Sequence, residues 1–193
     1  MMFRRLKAGL VLAIMAMAPS IASAGQIDFF TVGSANPNAG YYAGTIGFGV
    51  SDNGVVAATA NLSHASEVGA AYTTAGTTNL PVSGRLLSIS ADGNRAAGYS
   101  NDSAGGITWK ISDNSLNGLT TVPGSYTQAA AISNNGQYVA GVGGTPLHNA
   151  SWNFDGSAGT VFDNLGGSSF GWAGAVSDTG LSAAHRVTRL VLR

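Results

Sequence analysis

Gly167-Ser168-Ser169-Phe170-Gly171 fits the G-x-S-x-G pattern that presents the nucleophile of serine hydrolases. That pattern works when its serine sits on a strand-to-helix elbow with an acid and a histidine well downstream. Here the surroundings are glycine-rich, no helix-forming stretch follows, and Asp178 and His185 lie too close along the chain to serve as partners. A chance match in a Gly/Ser-rich chain explains the pattern without chemistry. The histidines His64, His148 and His185 lack the spacing of metal ligands and read as solvated loop residues. Gly44, Gly47 and Gly49 do not have the dinucleotide-loop spacing and read as strand and turn glycines.

The nine acidic residues are scattered and form no obvious general acid–base pair. Several Asp and Asn residues lie in recurring turns, as in calcium loops, but none of these turns alternates oxygen ligands and closes on a glutamate. Trp109 and Trp152 could stack on sugars, yet a large aromatic at a fixed repeat position is better explained as core. The sequons at Asn61, Asn101 and Asn149 read as surface loops with no modification implied. The sequence therefore assigns no catalytic, cofactor-binding or metal-ligating residue, and no cofactor is expected.

The turns themselves are the strongest pattern. Val50-Ser51-Asp52-Asn53-Gly54, Ile89-Ser90-Ala91-Asp92-Gly93, Ile132-Ser133-Asn134-Asn135-Gly136 and Val176-Ser177-Asp178-Thr179-Gly180 repeat one design: apolar, Ser, two further residues, Gly. Tight hairpin turns demand positive φ, which glycine tolerates best, so each should join two antiparallel strands. Gly98 and Gly141 follow their turn glycines by five positions, and Trp109 and Trp152 by sixteen. Short β-branched and aromatic runs such as Val55 to Ala60, Gly106 to Ile111 and Tyr138 to Val142 supply the strands.

A period of about forty residues holds four short strands, the size of a β-propeller blade. The expected fold is all-β: a propeller-like array of four-stranded units over about 41–85, 86–127 and 128–171, with a partial unit over 172–184. In the third unit the strands are expected at Ala129 to Ser133, Gln137 to Val142, Ala150 to Phe154 and Thr160 to Leu165. Such units cannot bury both faces alone and must stack on neighbours. Asp28 to Val32 could complete the partial unit from the other end of the chain.

The turn, the Ala-Gly step, the tryptophan and a segment such as Asp163-Asn164-Leu165-Gly166-Gly167 together resemble the bacterial extracellular repeats called HAF repeats, from Tyr41 to about Ala184. The resemblance implies a secreted, propeller-like protein and carries no catalytic residues with it.

The ends fit that picture unevenly. Arg4, Arg5 and Lys7, an apolar run from Ala8 to Ala18, and Ala22-Ser23-Ala24 form a signal peptide over 1–24, cleaved after Ala24; a membrane anchor would need a longer apolar run. Without cysteine, neither a lipid-carrying cysteine nor disulfides are available. Cleavage removes three of the nine basic residues and leaves the mature chain, with its 25–184 repeat domain, six basic against nine acidic residues, a net negative charge that argues against nucleic acid as a partner. Residues 185–193 form a basic tail of foreign composition. Either the array is truncated or frame-shifted, with a glycine expected at position 185, or the tail is a genuine final strand or short helix. The function expected is a secreted, non-catalytic binding or surface-interaction module for a glycan, matrix or cell-surface protein, without stable membrane insertion and with self-association through an open sheet edge. A polysaccharide-active lyase or hydrolase and a purely structural matrix protein are the alternatives.

Overall fold

The computed structural model describes residues 45–60, 67–102, 105–122, 126–145, 147–162 and 171–186, all within the unit Thr31–Arg193. Among these residues there is no helix, and fourteen strands form four separate sheets. The first sheet holds β1 (Thr45–Val50), β2 (Val56–Ala60), β3 (Val68–Thr73) and β4 (Gly76–Asn79). The second holds β5 (Gly84–Ile89), β6 (Arg95–Ser100), β7 (Gly105–Lys110) and β8 (Ser115–Gly118). The third holds β9 (Thr127–Ile132), β10 (Tyr138–Gly143), β11 (His148–Asn153) and β12 (Thr160–Phe162), and the fourth β13 (Gly171–Val176) and β14 (Ser182–Arg186). Each of the first three sheets is a four-stranded antiparallel meander in sequence order, the arrangement of a propeller blade, and the fourth is described as its first hairpin. The signal peptide, the proposed strand Asp28 to Val32 and the end of the strand expected to reach Leu165 lie outside the described residues.

The four repeated turns all connect the first strand of a sheet to its second. Their glycines Gly54, Gly93, Gly136 and Gly180 have φ of 81°, 70°, 69° and 83°, the backbone the pattern called for. In each turn the leading serine does the closing: Ser51, Ser90, Ser133 and Ser177 accept backbone N–H groups from the far side of the turn through Oγ. Every first strand also carries a β-bulge three residues before that serine, at Phe48, Leu87, Ala130 and Gly174. A bulge increases local twist, and its repetition gives the four sheets one shape to stack by.

Stacking follows a single rule. The first strand of each sheet packs against the first and second strands of the sheet before it. Trp109 on β7 is fully buried with Ala57 and Ala71 of the first sheet and Leu86 and Ala96 of its own. Trp152 on β11 repeats this one interface later, against Ala97 of the second sheet and Ala129 and Val139 of the third. Both indole N–H groups are satisfied, Trp109 by Asn114 Oδ1 at 2.9 Å and Trp152 by the Thr120 carbonyl at 3.0 Å. The tryptophans are therefore inter-sheet core, and sugar stacking is closed to them.

Three local expectations change. His148 is a strand residue on β11, opposite Gly143, with its Nδ1 buried, so it is no solvated loop histidine. Asn149 of the third sequon is on the same strand and buried. At the far end, β14 continues through His185 and Arg186, which pair with Trp172 and Gly171. The turns of the first and fourth sheets are one residue shorter than those of the second and third. Strand register consequently places Ala58 and Ala184, not His185, where Gly98 and Gly141 stand. A glycine at 185 is not what the repeat requires.

Candidate functional site

At the end of the sheets opposite the repeated turns, a cleft of about 290 Å³ opens between the second and third sheets. Tyr99 and Asn101, from the end of β6 and the turn after it, form one wall; Tyr126 and Gln128, at the start of β9, form the other. Gly105 and Thr127 lie between them, and the Thr127 hydroxyl accepts the Gly106 N–H at 2.8 Å, which ties the two sheets together at this point. The Tyr126 hydroxyl donates to Gln128 Oε1 at 2.8 Å, which orients the Gln128 side-chain amide.

Behind the first wall sits Glu67, completely buried at the start of β3. A buried carboxylate is costly unless paired and hydrogen-bonded. Glu67 receives the Arg85 guanidinium through Nε at 2.8 Å and through Nη2. It also accepts from Asn101 Nδ2 at 3.1 Å and from the Tyr99 hydroxyl at 3.4 Å. The Arg85 guanidinium in turn lies 5.9 Å from the centre of the Tyr99 ring. Its hydrogen bond to Glu67 holds Arg85 above the ordinary arginine value. Burial, aided by the Glu67 carboxylate, pushes the Tyr99 phenol up, and burial does the same to Tyr126. Both phenols are thus neutral hydroxyls throughout the physiological range, able to donate and accept.

A second cleft of about 450 Å³ lies at the turn end, lined by Arg95, Gln137, Tyr138, Asn153, Phe154 and Asp155. Its one cation is already committed: Arg95 Nη1 donates to the Gly136 carbonyl at 3.1 Å and its guanidinium sits 4.9 Å from the Phe154 ring centre. Arg95 reads as a staple between the second and third sheets, and this cleft offers a ligand less than the first.

Neither cleft assembles catalytic groups. Among the described residues the first is lined by no carboxylate and the second by Asp155, held below the usual carboxylate range by the Ser157 hydroxyl. Among the described residues no three His, Cys, Asp or Glu side chains come together as a metal site. In the turns, the groups resembling calcium ligands satisfy one another: Asp92 accepts from the Ser90 hydroxyl at 2.5 Å and the Asn94 N–H at 3.0 Å, and Ser133 donates to Asn135 at 2.8 Å. Ser169 and its glycine-rich pattern, His64, Gly44 and the Asn61 sequon lie outside the described residues.

Sequence reasoning did not find this site, because its four polar groups come from turns and strands whose register was unknown. One signal was present. Glu67 is the sole glutamate in the chain, and it directly precedes an apolar strand.

No family model matches the chain, and no curated protein matches it in sequence. Solved structures do. TolB from Acinetobacter baumannii aligns with a TM-score of 0.54 and 16% identity over 74% of this chain and 38% of its own. A protein assigned as TolB from Agrobacterium tumefaciens aligns with a TM-score of 0.51 and 14% identity over 65% of this chain and 48% of its own. The chain spans less than half the length of either. At these identities the likeness establishes the fold, a β-propeller-like array of antiparallel sheets, and nothing about activity.

Proposed function

We propose that this chain is an exported, non-catalytic binding module of the HAF-repeat type that recognises a neutral, hydroxyl-rich ligand such as an extracellular glycan in the Tyr99–Tyr126 cleft. The observation that carries the reading is the cleft itself: two neutral phenols and two carboxamides converge there, with one wall tied to the buried Glu67 carboxylate and its half-buried partner Arg85. Side chains of this kind offer paired donors and acceptors beside an aromatic surface, which suits sugar hydroxyls and C–H faces. Preorganisation by Glu67 and Arg85 lowers the cost of ordering that wall when a ligand arrives. Export follows from the basic, apolar and small-residue segments over 1–24, with cleavage after Ala24.

A glycan array with the mature protein tests this. Binding to a defined set of neutral glycans, lost in Tyr126→Ala and weakened in Gln128→Ala, is the expected result. Absence of any glycan binding overturns it in favour of a structural matrix role, and turnover of a bound polysaccharide overturns its non-catalytic part.

A further inference from the structure

The repeated turns form a directional chain of contacts. The Asp52 N–H donates to the Ala91 carbonyl and the Ala91 N–H to the Asn134 carbonyl, each at 2.9 Å, and the Asn135 N–H donates to Asp178 Oδ1 at 2.8 Å. Asn53 Nδ2 reaches the Asp92 carbonyl at 2.8 Å, and Asn135 Nδ2 the Asp178 carbonyl at 3.0 Å. Side chains keep the same direction: Val55 lies over Gly93, Arg95 over Gly136 and the Tyr138 ring over Gly180. In every internal interface, then, a turn donates to the next and caps its glycine.

The first and fourth turns, the outermost of the described ones, carry opposite halves of that interface. At the first turn, among the described residues, Gly54 has nothing within 4 Å of where a side chain would begin. Ile46, Phe48 and Val50 are exposed on β1; Val50 is 69% exposed, whereas Ile132, its counterpart in the third sheet, is 7% exposed against the sheet before it. At the tail, Leu181 takes the place of Val55, which packs into the core between the first and second sheets, yet Leu181 is 75% exposed. First and fourth turns also share length and an aspartate in second place, so Asp52 presents the same acceptor that Asp178 presents to Asn135. The Asp178 carboxylate is turned back toward Asn135 and does not confront a following turn.

We infer that a second copy of this chain occupies the exposed face of β1, docked head to tail, with Leu181 of one copy covering Gly54 and packing beside Val50 of the other and with Asp52 accepting from the Thr179 N–H. Such an interface is heterologous and either closes into a ring or propagates.

The experiment is sedimentation of the exported, purified chain, with Leu181→Asp and Val50→Asp variants whose β-type circular dichroism confirms folding. The expected result is a concentration-dependent dimer or larger species, with self-association at least tenfold weaker in either variant. Mixing the two variants should restore a one-to-one complex, because each retains one intact half of the interface. A native chain that stays monomeric overturns the inference, whatever covers Val50 and Leu181 instead. A dimer that neither variant weakens, or one that mixing fails to restore, shows a different interface and overturns it equally. Because the Tyr99–Tyr126 cleft is at the other end of the sheets, loss of glycan binding without loss of assembly would count against the proposed function alone.

Discussion

The carbonyl oxygen of Arg85 occupies the space that a side chain on Gly98 would need, and the Gln128 carbonyl does the same to Gly141 one sheet later. Both glycines stand on the second strand of their sheet, opposite Leu86 and Ala129, beside the bulge of the first strand. The neighbour in each case is backbone, which has no rotamer to yield. Gly98→Ala and Gly141→Ala should each destabilise the fold by about 3 kcal/mol, the upper range for overpacking. Urea midpoints at constant m-value check this. A loss under about 0.5 kcal/mol would show that the sheets shift freely at these positions.

The same two glycines mark how far the fold was legible in sequence. Their spacing from the turn glycines exposed the repeat in the second and third sheets, where a turn of positive φ and a strand position under a carbonyl both favour glycine; the first and fourth sheets, with shorter turns, carry Ala58 and Ala184 at that register. Trp109 and Trp152 were legible as core for a related reason: one large side chain per unit is what stacked sheets need between them. Register was not legible. One residue fewer in the first and fourth turns shifts the equivalent position from His185 to Ala184, and no local preference announces that. Nor was the cleft, because Glu67, Arg85, Tyr99 and Asn101 are brought together only when β3, β5 and β6 have stacked.

Removing the half-buried Arg85 from the buried Glu67 carboxylate should cost more than removing both. Arg85→Met takes the guanidinium away from a fully buried carboxylate, a loss of about 3 kcal/mol. Adding Glu67→Leu removes the buried carboxylate as well and should recover part of that loss. A double-mutant cycle by chemical denaturation measures the coupling. Additive single losses would mean that Arg85 contributes through packing alone.

The third turn position makes a cleaner test of the serine hydrogen bond. Asn53 and Asn135 receive the hydroxyl of Ser51 and Ser133 there, and Asp92 receives that of Ser90. Asp92→Asn should therefore change stability at pH 7 by less than about 1 kcal/mol. The acid limb should change more. The Ser90 hydroxyl, followed by the Asn94 N–H and Arg95, holds the Asp92 carboxyl below the usual carboxylate range. Through that interval the unfolded chain binds the proton and the folded one does not, so stability rises with pH. Its contribution is complete above about pH 4, the ordinary carboxylate value, and is lost as pH falls through the lower folded value. Asp113, held at about 2 chiefly by Lys110 and then Ser115, loses its partners lower in the same direction. Urea midpoints between pH 2 and 6 should fall less steeply in Asp92→Asn than in the native chain; parallel curves would show that Asp92 is not linked to folding.

Ala158, in the turn between β11 and β12, has φ of 53°, a left-handed conformation that its Cβ disfavours. The turn holds it there through its neighbours: Gly156 N–H donates to the Asn153 carbonyl at 3.0 Å, and Ser157 closes on Asp155 from both its N–H and its hydroxyl. Gly159, directly after it, lies against the Trp152 indole and the Thr120 hydroxyl, leaving no room to relieve the strain by moving the following residue. Ala158→Gly removes the Cβ clash, worth about 1–2 kcal/mol, and gives part of it back as unfolded-chain entropy. A net gain of about 0.5–1 kcal/mol should appear as a higher thermal midpoint, by a few degrees for a chain of this size. Ala158→Val, which adds a branched Cβ at the same φ, should move the midpoint the other way. If Ala158→Gly instead lowers it, the left-handed turn is not the conformation this loop holds.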